Sequence, residues 1–128
     1  VDEVDDLLLA EAESCRATDK ILLVDSHAVT KEDYGFRVTP FKLQRLVDLK
    51  IDYLICLYAD PEVLNKRIVQ DPQGRPLPTL FEQTFHVGLQ ASVVSTYSIL
   101  AGRPCYLVDS GGDRTELVQR VKRLVGLA

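Results

Sequence analysis

The sequence predicts an α/β layered fold with a mainly parallel sheet, and three observations carry that expectation. Short apolar runs recur along the chain: ILLVD (21–25), YLICLYA (53–59) and CYLVD (105–109). The second is apolar on both faces, as a strand inside a buried parallel sheet is. Segments with helical spacing of apolar residues separate the runs, and strands alternating with helices give parallel pairing through crossovers.

Each element has a local reason. In residues 1–17, Val4, Leu7, Leu8, Ala12 and Cys15 fall at helical spacing with acids on the opposite face. ILLVD is the first expected strand, followed by a charged loop over 26–39. Thr39 is placed to cap a helix with Pro40 at its first position, and Leu43, Leu46 and Val47 form its stripe. After the strand at 53–59, Asp60-Pro61-Glu62 opens a helix with a cap, a first-turn proline and an acid on the helix dipole. That helix ends near Asp71, where DPQGRPLP (71–78) breaks the chain with three prolines and a glycine. Thr79 and Glu82 form a capping box for a long helix, which Gly102 and Pro104 terminate. CYLVD is the third strand and SGGD (110–113) a turn. Asp113 and Glu116 then start a last helix running to about Leu127.

The bulk numbers set limits. A chain of 128 residues holds one domain with a real core. Formal charge is −4 and the pI about 5.1, so no basic footprint invites nucleic acid or an anionic membrane. The apolar runs are far shorter than the ~20 residues of a membrane helix, and no signal-like segment opens the chain. Cys15, Cys56 and Cys105 are odd in number and sit mostly inside apolar runs. That pattern reads as reduced core thiols of a cytoplasmic protein, not a disulfide frame or a CxxC metal site. The chain begins at Val1 and contains no Met. The expectation is therefore a fragment that has lost its natural N-terminus.

In open parallel sheets, ligands bind beyond the C-terminal strand ends. All three expected strands end in polar groups there: Asp25-Ser26-His27, Asp60, and Asp109-Ser110-Gly111-Gly112. A carboxylate after four apolar residues, as in ILLVD, can hold Mg²⁺ directly or through water while its strand keeps it rigid. An Asp at a strand end also serves as a turn cap, and CYLVD fits the pattern nearly as well. Arg67 and Arg75 lie across a helix end and the Pro/Gly loop, where two guanidinium forks can close over phosphoryl groups. Solvated surface arginines are the plain alternative. His27 and His86 are isolated and do not make a metal site. Asp25, Ser26 and His27 are sequence neighbours, whereas a hydrolase triad draws its members from different elements.

The segments ILLVDSHAVT, YGFRVTPF, IDYLICLYADPEVLNKRIVQDPQGRPLPT and VSTYSILAGRPCYLV together resemble the later two-thirds of P-loop kinases of the archaeal adenylate kinase type. The likeness is strongest at VDSH, in 59–75 and from Tyr97 to Gly102. It implies a three-layer αβα P-loop kinase-like fold whose N-terminal P-loop strand is absent from this chain, with residues 1–128 as the C-terminal portion of one domain and a lid loop at about 71–79. The implied activity is transfer of the ATP γ-phosphoryl group to a nucleotide or another small acceptor. By the same resemblance, Asp25 lies near Mg²⁺ and the phosphates, and His27 and Arg37 lie on the acceptor side. Arg67 and Arg75 flank the lid and stabilise the transferring group, while Ser110, Gly111 and Gly112 lie beside the base of ATP.

The sequence departs from that family twice. No G-x-x-x-x-G-K-[ST] loop is present, and Ala91 stands where the long helix of the family tends to carry an arginine. In such folds the P-loop strand sits between those corresponding to 21–25 and 53–59, so the partner expected first is a preceding segment of the same protein. A non-catalytic nucleotide-binding or regulatory module on the same fold is the alternative. A flavodoxin- or receiver-like module is a third, but it leaves the Arg67/Arg75 loop without a role.

Overall fold

A computed structural model describes residues 2–127. The elements run α1 (Asp2–Arg16), β1 (Val29–Glu32), β2 (Gly35–Val38), α2 (Leu43–Asp48), β3 (Leu54–Tyr58), α3 (Pro61–Gln70), α4 (Leu80–Ala101), β4 (Cys105–Asp109) and α5 (Arg114–Leu124). The fold is mixed α/β, with a two-stranded parallel sheet of β3 and β4 and a separate antiparallel hairpin of β1 and β2. The long helix α4 is the hub: it packs on β1, β3, β4, α2 and α3. The buried apolar residues are Ala12, Cys15, Val29, Leu46, Cys56, Ala59 and Val108.

Local chemistry explains the helix ends. Asp60 caps α3, its Oδ1 accepting the Glu62 N–H at 2.8 Å, with Pro61 in the first turn. Both halves of the Thr79/Glu82 capping box open α4, and Gly102 closes it in the left-handed conformation at φ 65°, which a residue lacking Cβ adopts without strain. Asp113 caps α5, accepting from the Thr115 N–H. All three cysteines are free, with Cys15 and Cys56 buried. Among the described residues, no helix is long and apolar enough to cross a membrane.

Three expectations are corrected. ILLVD (21–25) is extended but pairs with no strand among the described residues, leaving Ile21, Leu23 and Val24 exposed at 65%, 85% and 50%. The reason is the ladder: β3 and β4 bond to each other, so nothing stands beside 21–25 to satisfy its backbone. The expected three-stranded parallel sheet is thus a parallel pair.

The charged loop at 26–39 is instead mostly the β1–β2 hairpin. Its register runs from Val29↔Val38 to Glu32↔Gly35, closed by Asp33 and Tyr34. The overlooked signal was a turn with a glycine between two short β-prone runs. Third, Thr39 does not cap α2, which starts at Leu43 after Lys42 with no side-chain cap. Thr39 is engaged at the open end of the hairpin, its N–H donating to Ala28 O at 2.9 Å and its hydroxyl to His27 O at 2.8 Å. Val47, assigned to the apolar stripe, is 52% exposed.

Candidate functional site

The parallel register pairs Leu54 with Cys105 and continues to Tyr58 with Asp109, so β3 and β4 end level. The ladder extends one step beyond: Ser110 donates to Tyr58 O from its N–H at 2.7 Å and from its hydroxyl at 3.0 Å. Ala59, at the same end, is 2% exposed. Asp109 turns its carboxylate onto the following loop, Oδ1 accepting the Gly111 N–H at 2.8 Å. A Cβ on Gly111 would stand 3.1 Å from that oxygen, so the close turn favours glycine. Asp60 and Asp109 therefore act as cap and turn acceptors, the structural role open to a strand-end Asp.

Two arginines come to this strand end. Arg67, in the last turn of α3, donates from Nη2 to Ser110 O at 2.5 Å. Arg120, from α5, donates from Nη1 to Asp109 O at 3.2 Å. The sequence reading had singled out Arg67, Ser110, Gly111 and Gly112 and missed Arg120. A signal for it was present: seven residues past the cap Asp113 is two helical turns, which returns a side chain to the side of the cap.

The other expected site residues lie elsewhere. Arg75 folds onto its own loop, Nη2 donating to Asp71 O at 2.8 Å and Nε to Pro72 O at 3.1 Å. Arg67 and Arg75 therefore share no acceptor. Arg37 is exposed on β2, opposite Thr30. His27 is exposed and contributes its backbone carbonyl to the hairpin end. His86 is structural: its Nε2 lies 3.1 Å from Val29 O and its ring 5.3 Å from that of Phe36.

Asp25 is exposed in the unpaired 21–25 segment, with no hydrogen-bond or ion-pair partner among the described residues. No group of three or more His, Cys, Asp or Glu among those residues could hold a metal ion. The residues in place do not by themselves build a Mg²⁺ site, and no chemical step is derived through the ion.

Electrostatic perturbation is concentrated away from the strand ends. Burial pushes the Cys105 thiol up from its ordinary value, and the neighbouring Cys56 adds to that rise. Burial also raises the Tyr97 phenol, whose hydroxyl donates to the Thr39 carbonyl. Glu82 is held low, first by the Thr79 backbone N–H and then by Lys31, whose Nζ is 3.3 Å away. A scan against protein-family models finds no match, and a search of curated proteins finds no significant relative.

Proposed function

We propose that this chain is the later part of a nucleotide-kinase-like domain with a three-layer αβα P-loop fold, which binds ATP and passes its γ-phosphoryl group to a nucleotide or another small acceptor. The observation that carries this reading is the reach of Arg67 to Ser110 at the level ends of two parallel strands. A fixed guanidinium there supplies the positive charge that phosphoryl transfer needs, since its fork matches phosphate oxygens. Mg²⁺ would arrive with ATP, because this ion is held largely by substrate phosphates and water with few protein carboxylates. Three free thiols fit a cytoplasmic setting.

The domain would be completed by a preceding P-loop segment of the same protein, whose strand lies between ILLVD and β3. Supporting this, ILLVD is extended and exposed, and β3 bonds to no strand but β4 among the described residues. An added central strand would satisfy both edges and bring Asp25 to the strand-end face.

A non-catalytic nucleotide-binding module on the same fold is the second reading, favoured by Arg75. Its guanidinium is engaged by the carbonyls of its own loop rather than aimed at the strand ends.

The deciding experiment measures phosphoryl transfer from Mg-ATP to a panel of nucleoside monophosphates, using this chain both alone and joined to its native upstream sequence. Transfer by the joined protein alone is expected. Micromolar Mg-ATP affinity of residues 1–128 alone would overturn the missing-segment reading. A joined protein that binds ATP but transfers to none of the acceptors would leave the non-catalytic module.

A further inference from the structure

We infer that the end of β4 is an oligophosphate clamp built from Arg67 and Arg120, with Arg120 as a ligand-binding residue the kinase-like pattern does not include. The inference shares the placement of Arg67 with the proposed function but requires no catalysis.

The two guanidinium groups arrive from different helices onto successive carbonyls, Ser110 O from α3 and Asp109 O from α5. Neither arginine pairs with a carboxylate among the described residues, in contrast to Arg45, which pairs with Asp5 and Asp6. A guanidinium carries five N–H donors. Each of these two uses one on a protein carbonyl, which fixes its position and leaves the rest of the fork for an anion. An arginine anchored in this way gives up less conformational freedom on binding than a free one.

The geometry also selects the ligand class. The Ser110 N–H points toward β3, where it meets Tyr58 O. The Asp109 carbonyl, anti to that N–H in the same peptide plane, points to the opposite side. Arg67 and Arg120 therefore approach β4 from its two sides. A single phosphate is too small to engage both forks across the strand, whereas a chain of linked phosphates has the length. The Asp109 carboxylate would oppose an anion here, but it is turned onto the Gly111 N–H.

The test titrates tripolyphosphate and, separately, inorganic phosphate into the 128-residue chain, read by calorimetry and by the amide resonances of Ser110 and Gly111. Tripolyphosphate is expected to bind in roughly the millimolar range, at least about tenfold tighter than inorganic phosphate, the scale of one added charge-assisted contact. Arg67→Ala and Arg120→Ala should each weaken it about tenfold, and Arg120→Lys should recover only part because it keeps the charge but not the fork. Arg123→Ala, on the same helix, should leave binding unchanged and so control for net charge. Equal affinity for the two anions, or tripolyphosphate binding by Arg120→Ala equal to that of the parent chain, would overturn the clamp. Loss of tripolyphosphate binding in Arg120→Ala, alongside a completed protein that transfers no phosphoryl group, would uphold the clamp and sink the kinase reading.

Discussion

Gln83 donates from Nε2 to Asn65 Oδ1 at 3.0 Å, and Asn65 donates in turn to Pro78 O at 3.3 Å. Gln83, 6% exposed, is the only buried polar side chain among the described residues. The pair therefore ties the C-terminal end of the 71–78 loop to both flanking helices. Removing one partner leaves a buried amide unsatisfied, which costs about 1–3 kcal/mol. Asn65→Ala should lose that much in urea unfolding, and adding Gln83→Leu should restore most of it. Strictly additive losses would show that the two amides do not act as a unit.

The capping box gives a pH dependence. Glu82 Oε1 accepts the Thr79 N–H at 3.1 Å, and Thr79 Oγ1 accepts the Glu82 N–H at 3.1 Å. These bonds, with Lys31, hold the Glu82 carboxyl below its ordinary value of 4.5. A folded value below the unfolded one adds stability that is complete above the unfolded value and is lost as pH falls through the folded one. The melting temperature should fall as the pH is lowered below about 4.5, and Glu82→Gln should flatten part of that fall. Thr79→Ala should cost about 1 kcal/mol at neutral pH.

What was legible in the sequence was whatever local chemistry decides. The Asp60, Thr79 and Asp113 caps, the Gly102 stop and the strands at 53–59 and 105–109 all follow from residues close in the chain. ILLVD failed because a strand is a property of a pair, and its composition does not say which neighbour is present. Thr39 failed for a related reason: two candidate duties competed, and the hairpin won over the helix cap. At the candidate site, Arg67 was legible from its place at a helix end, but its meeting with Arg120 depends on how α3 and α5 sit around β4. Spacing along the chain carries no such information.

Cys105 offers a second titration of opposite sense. Burial and the adjacent Cys56 raise its thiol above the ordinary 9.0. Its contribution to stability is therefore complete below the unfolded value and is lost as pH rises through the folded one. At pH 8, Cys105 should be alkylated more slowly in the folded chain than in urea, since the thiolate is the nucleophile. Labelling followed by peptide mapping checks this. Equal rates in the two states would show that the folded environment does not suppress thiolate formation.

The loop at 71–78 should exchange its amide hydrogens faster than either helix beside it. It contains three prolines, a glycine at φ 74° and Gln73 at φ 46°, and its one internal backbone bond is Arg75 N–H to Pro72 O at 2.8 Å. Few backbone bonds and exposed residues mark the low-stability end of a fold. Arg75→Ala removes two side-chain bonds to the Asp71 and Pro72 carbonyls, so exchange at Gln73 and Gly74 should rise while that of α4 is unchanged. Protection equal to that of α4 across 73–77 would remove the lid assignment.

Asp25 separates a structural from a functional role most sharply. Its carboxylate is exposed and without a partner among the described residues, so Asp25→Asn should change the stability of this chain by no more than about 0.5 kcal/mol, the usual range for an exposed surface position. A turn-capping Asp would instead cost about 1 kcal/mol. In the protein joined to its upstream segment, the proposed function places the same carboxylate at the reacting phosphates. There the exchange should lower phosphoryl transfer by about a hundredfold or more, the scale of one preorganised electrostatic contact, while the melting temperature stays close to that of the parent. Turnover and thermal unfolding measured on the same Asp25→Asn preparation distinguish the roles. A variant that melts earlier but transfers at the parental rate would make Asp25 a structural residue and move the search for the catalytic carboxylate elsewhere.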